Sequence, residues 1–111
     1  MAAILRGEIW WADLDPIRGH EQGGSRPILV LSKDNFNTRT QTVIAMAITS
    51  QVPRVGFPAS LEITSVKMPR RSWVKIDQVR TLSVDRLERG IGKVATQELD
   101  VVIQGLNQII A

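Results

Sequence analysis

The stretch "GEIWWADLDPIRGHEQGGSRPILVLS", Gly7 to Ser32, sets two strand signals on either side of one polar loop. Gly7 to Leu14 is rich in tryptophan and isoleucine and is stopped by Asp15-Pro16, so it predicts a first strand. Pro27 to Ser32 is apolar on consecutive residues, the pattern of a strand buried on both faces. Its proline comes first, where a missing N–H does least harm. Between them, "GHEQGGSRP" (Gly19 to Pro27) packs glycines, a histidine, a carboxylate, an amide and an arginine onto a flexible segment at the mouth of a buried strand. Polar chemistry in that place suggests a site.

Outward from this stretch the strand signals continue. "TVIAMAITS" (Thr42 to Ser50) is a third strand, "PRVGFP" (Pro53 to Pro58) a loop, and Ser60 to Thr64, Ser72 to Ile76 and Gln78 to Leu82 are shorter strand candidates. "SVDRLERG" reads as a single turn capped by Ser83 and ended by Gly90, with "IGKVA" a last short strand. The period then changes from two to about 3.6. Leu99, Val102, Ile103, Leu106 and Ile110 fall on one face of a helix, with Thr96 as its expected N-cap and Glu98 favourably in the first turn. The fold class is therefore mainly β with a C-terminal helix, and a small β-barrel flanked or closed by that helix is the expected architecture. At 111 residues, without repeats or Ser/Gly linkers, residues 1–111 are expected to form one domain.

Composition narrows the function. There is no cysteine, so disulfides and thiolate metal sites are excluded and a reducing, cytoplasmic setting is expected. The start carries too short an apolar run for a signal peptide, and no run approaches the roughly 18 residues of a membrane span, so no membrane partner is expected. Fourteen Lys and Arg against 11 Asp and Glu leave a net charge of +3, which favours a polyanionic partner. His20 is the one histidine, so zinc sites of His and Cys are excluded. A magnesium site from Asp13, Asp15 and Glu21 competes with the simpler reading of solvated turn carboxylates, and no metal or cofactor is expected. The polar loop is no P-loop, because Gly24 is followed by Ser25 and Arg26, and no helical period follows it as a dinucleotide fold would require.

What remains is Arg26 at the rim of a buried strand, Thr49 and Ser50 ending another, and Asp77 after a third. A guanidinium fixed on a strand offers forked, permanent donors for phosphate oxygens, and a neighbouring hydroxyl can donate to the same oxygens. The competing reading is structural: Arg26 paired with Glu21, Thr49 merely ending its strand, Asp77 anchoring a turn.

A resemblance weighs between the two. "RGEIWWADLDPIRGHEQGGSRPILVLSKDNFN", "AITS" and "IDQVRTLSVDRL" resemble the MazF/PemK/Kid family of bacterial toxins, from about Arg6 to Leu87. The resemblance implies an SH3-like β-barrel of the MazF/CcdB type and a ribosome-independent, metal-independent, sequence-specific endoribonuclease (an mRNA interferase). It implies cleavage of single-stranded RNA by the ribose 2′-OH, leaving a 2′,3′-cyclic phosphate and a 5′-OH. On the family pattern Arg26 and Thr49 are the principal catalytic positions, with Asp77 and His20 as candidates for the base. Glu21 and Gln22 are expected to organise the loop or the arginine and, with Ser50, Gln78, Arg70, Arg71 and Lys75, to contact RNA. For the basic segment Lys67 to Lys75 a solvated hairpin is the competing reading. Gly19, Gly23 and Gly24 are expected to give the loop positive φ and close approach. Trp10 and Trp11, adjacent on a strand, point to opposite faces, one into the core and one to an interface or a base. A homodimer and a cognate antitoxin with a disordered acidic tail are implied as partners. Two rivals share the barrel: a gyrase-directed toxin resembling CcdB, against which the ending "NQIIA" argues, and a silent RNA-binding barrel.

Overall fold

A computed structural model describes residues 3–15, 19–21 and 23–111. Among them the chain runs β1 (Glu8–Asp13), β2 (Ser25–Val30), α1 (Asp34–Thr40), β3 (Thr42–Thr49), β4 (Ser60–Glu62), β5 (Trp73–Ser83), a 3₁₀ turn (Val84–Arg86), β6 (Leu87–Lys93) and α2 (Thr96–Ile110). The strands form one antiparallel sheet in the order β4-β5-β3-β2-β1-β6. The sheet is curled but open between β4 and β6, so the barrel expectation holds in its mainly-β, barrel-like sense and not as closure.

Both faces of the sheet are buried, as the consecutive apolar residues of β2 require. Ile9, Leu29, Met46, Ile48, Val74 and Ile76 form one core, on which α2 lays Leu99 and Val102. Ala12, Leu14, Ile28, Val30, Val43 and Leu82 are among the residues of the other. The small residues Ala12, Ala45 and Ala47 on this second face let the chain close over it. Each buried Leu or Ile contributes about 1.5–3 kcal/mol relative to exposure. The helix approaches so closely that a Cβ on Gly105 would stand 2.8 Å from Ile76 Cδ1 and 3.1 Å from the Pro58 carbonyl. Ile110, expected on the buried face, is instead 69% exposed, because the helix runs past the edge of its core.

Four other expectations change. Ser72–Ile76 and Gln78–Leu82 are one strand, β5, interrupted by a bulge: Met46 pairs with Val79 and Ile48 with Val74, so Lys75, Ile76, Asp77 and Gln78 all lie opposite Ala47. Ser83 does cap the following turn, accepting from the Asp85 N–H, but the turn ends at Arg86. Gly90 lies mid-strand against the Trp10 ring, 3.7 Å from where its Cβ would be, so its smallness serves packing and not helix termination. The residue flanking α2 is Ala95 and not Thr96; its N–H donates to Ser65 Oγ at 2.9 Å. Glu98 reaches back to accept from Thr64 N, Thr64 Oγ1 and Ser65 Oγ at 2.9, 3.0 and 2.7 Å, tying the start of α2 to that turn.

Helix α1 has no apolar period to betray it. Its "NFNTRT" composition is poor in helix formers. Tertiary bonds hold it: buried Asn37 donates from Nδ2 to the carbonyls of Ile4 (2.8 Å) and Ser32 (3.1 Å), and Gln41 ends the helix in the left-handed region at φ 56°.

Candidate active site

Strand β2 begins at the end of the polar loop and carries Arg26 as its second residue, half-buried. Its Nε donates to the Gly23 carbonyl at 2.7 Å, which fixes the plane of the guanidinium. Strand β3 ends with Thr49, 9% exposed, whose Oγ1 accepts from the Gln51 N–H at 3.2 Å and keeps its own proton to donate. The β2–β3 register pairs Ile28 with Ala47. Carried two residues on, it sets Arg26 across from Thr49, and both line one cavity of about 470 Å³.

That cavity has two characters. Trp11, Pro27, Ile48 and Pro69 make an apolar wall, while Arg26, Thr49, Ser50 and Arg70 supply the polar groups. A flat apolar wall beside forked cationic donors suits a nucleobase joined to a phosphate. Of the two tryptophans, Trp11 is the one on the cavity, with the Arg89 guanidinium 5.7 Å from its ring centroid. Trp10 packs against the opposite core and donates from Nε1 to Glu8 Oε1 at 3.2 Å.

The other candidate residues are dispersed. Asp77 and Lys75 line a second cavity of about 380 Å³ with Arg54, Val55 and Ala59, because the β5 bulge turns them away from the Arg26 cavity. Arg71 is bound to Glu62, donating from Nε and NH2 at 2.8 and 2.9 Å, and its guanidinium lies 5.1 Å from the Trp73 centroid. This hydrogen bond holds the half-buried Glu62 carboxyl below its ordinary pKa and raises that of the exposed Arg71. Gln78 is half-buried on β5; His20 and Glu21 are exposed beside Gly19, and Gln22 lies outside the described residues. Gly19 and Gly24 have φ of +59° and +75°, as expected, and Gly23 supplies the carbonyl that binds Arg26. The sequence left Trp11 and Trp10 undecided, and it gave no sign of Pro69 or Arg54, because nothing in their local patterns distinguishes a cavity wall from a loop position. Among the described residues, no three His, Cys, Asp or Glu side chains gather in a group that could hold a metal ion.

With this geometry in place, comparison with known proteins is direct. The profile of the PemK-like, MazF-like toxins of type II toxin-antitoxin systems matches residues 5–110. The chain belongs to this toxin family. It is 34% identical over 110 residues to endoribonuclease EndoA of Bacillus subtilis, an alignment covering 97% of this chain and 95% of that one. It is 33% identical over 101 residues to endoribonuclease MazF of Staphylococcus saprophyticus, covering 89% and 84%. Its fold is similar to the crystal structure of MazF from Deinococcus radiodurans, with a TM-score of 0.87, 28% identity and coverage of 99% and 98%. It is also similar to a mycobacterial endoribonuclease solved in complex with its cognate antitoxin, with a TM-score of 0.76, 25% identity and coverage of 96% and 93%. The toxin family and the mainly-β fold with a C-terminal helix are thus as the resemblance implied. No helix among the described residues is long and apolar enough to cross a membrane.

Proposed function

We propose that the chain is a toxin endoribonuclease that cuts single-stranded RNA at the cavity shared by Arg26 and Thr49. The observation that carries this reading is their convergence, from two different strands, on one cavity with an aromatic wall. The ribose 2′-OH attacks the adjacent phosphorus, the bond from phosphorus to the 5′-oxygen breaks, and a 2′,3′-cyclic phosphate and a 5′-OH result. DNA lacks that nucleophile and is spared. Arg26 stabilises the charge growing on the phosphoryl oxygens, and the Thr49 hydroxyl donates to the same group.

The proton of the 2′-OH passes to a base for which His20 and Asp77 are the two candidates. His20 lies exposed on the loop that leads into β2, and Asp77 serves from the second cavity only if RNA spans both. Ser50 and Arg70 contact the substrate beside the scissile phosphate, and Trp11 stacks on a base. Residues 1–111 act as one unit in the cytoplasm, as a homodimer restrained by a cognate antitoxin. Relatives solved with an antitoxin support that partner.

The test is incubation of purified protein with a long single-stranded RNA in EDTA, mapping cut sites and end groups beside Arg26→Ala. Discrete cuts with cyclic-phosphate ends that vanish in the variant are expected. Intact RNA, or cutting only with added magnesium, would overturn the metal-independent reading; altered DNA topology instead would point to the gyrase-directed rival.

A further inference from the structure

The Arg26 guanidinium is held by a carbonyl that is itself held. Its partner Gly23 precedes Gly24, whose φ of +75° turns both of its peptide groups toward the end of β1. The Gly24 N–H donates to Asp15 Oδ1 at 2.9 Å, and its carbonyl accepts from Leu14 N at 3.0 Å. The Asp15 N–H in turn donates to Asp13 Oδ1 at 3.0 Å. Arg86, on the turn before β6, then donates from NH1 to the carbonyl of Asp13 at 3.1 Å and to that of Asp15. Three segments, residues 13–15, residues 23–26 and the distant Arg86, therefore meet at the neck of the polar loop and end on one side chain.

We propose that Asp15 and Arg86 are positioning residues for catalysis, clamping Gly23 and Gly24 so that the Gly23 carbonyl presents the Arg26 guanidinium to the cavity in a fixed orientation. This rests on the ribonuclease reading, since it is Arg26 whose placement is served. The physical reason is preorganisation. A guanidinium on a flexible stem stabilises developing charge well only if it is already aimed, and a misplacement near 1 Å costs about 100-fold in rate. A carboxylate accepting a backbone N–H is a charge-assisted bond, stronger than a neutral one and suited to such a clamp.

Asp15 is therefore more than a turn residue before Pro16. Its side chain spans the neck from 15 to 24 while Arg86 fixes the backbone on which it stands. Neither side chain lines the cavity, so substrate binding is expected to survive their loss.

The test is steady-state cleavage of a short RNA carrying one mapped site by wild type, Asp15→Ala, Asp15→Asn, Arg86→Ala and Arg86→Lys, with thermal melts and the solvent exchange of the Arg26 Nε–H read by ¹⁵N NMR. Asp15→Ala and Arg86→Ala are expected to lower kcat about 10- to 100-fold with KM changed less than about threefold, and to speed Nε–H exchange. Asp15→Asn keeps an oxygen for the Gly24 N–H and is expected to restore kcat to within about threefold. Lower Tm with wild-type kcat, or equal losses in Asp15→Ala and Asp15→Asn, would overturn the clamp. If Asp15→Ala fails to fold, Arg86→Ala against Arg86→Lys carries the same comparison. Wild type that leaves RNA intact would sink the ribonuclease reading alone, because the Nε–H exchange still decides the clamp.

Discussion

Two cavities among the described residues each carry an arginine and are built differently. The first stands on the ends of β2 and β3, where Arg26 is pinned by a backbone carbonyl and Thr49 is nearly buried, and it is walled by Trp11 and two prolines. The second lies between the β5 bulge and the 54–59 loop, with exposed Arg54 and Asp77 and half-buried Lys75. Regular strands hold a charged group still and leave its donors aimed, which is what transition-state stabilisation requires. A bulge and a loop present charges that solvent screens, which suits attraction of a polyanion more than chemistry.

The sharpest way to break that contrast is to remove the key group from each cavity. Arg26→Ala is expected to lower kcat about 100- to 1,000-fold, the usual loss for a preorganised donor. Asp77→Asn is expected to cost less than about tenfold by the same assay. Equal losses would mean that the reacting centre spans both cavities and that Asp77 is the base.

A middle-sized effect sharpens the division within the first cavity. Trp11→Ala removes a stacking surface worth about 1–3 kcal/mol per base, so KM is expected to rise about tenfold or more while kcat moves little. A fall in kcat with KM unchanged would assign Trp11 to the placement of Arg26 instead.

Smaller still, Arg54→Gln with Lys75→Gln is expected to flatten the salt dependence of RNA binding by about 1.4 units in log K against log salt, since each phosphate contact on a single strand contributes about 0.7. An unchanged slope would take the second cavity out of the RNA path.

The smallest expected effect concerns Arg71. Its hydrogen bond depresses the folded pKa of Glu62, so the stability it adds is present above the unfolded value of about 4.3 and disappears as pH falls through the folded pKa. Arg71→Met is expected to lose slightly in urea melts at neutral pH and nothing in strong acid, with RNA binding little changed. Weakened RNA binding in Arg71→Met would return Arg71 to the substrate groove.

Part of this was legible in the sequence and part was not. The two-faced burial of β2, the amphipathic face of α2 and the placement of Arg26 at a strand mouth follow from periodicity and from proline and glycine, which act locally. Helix α1 was invisible because its stability lies in the bonds of Asn37 to the carbonyls of Ile4 and Ser32, partners that only the fold brings near. The β5 bulge hid in a run that reads equally well as two strands. It separates Asp77 from Arg26, which the family resemblance had set together as candidates.

The sequence by itself determined the fold class, because hydrophobic period is written in neighbouring letters, and its motifs carried the resemblance to the toxin family that singled out Arg26 and Thr49. Only the tertiary structure decided that Trp11 and not Trp10 faces the site, that Arg71 serves Glu62, and that Asp15 and Arg86 brace the loop behind Arg26. Those outcomes depend on strand register and on side chains meeting across 9 to 73 positions of chain, and no local pattern carries such distances.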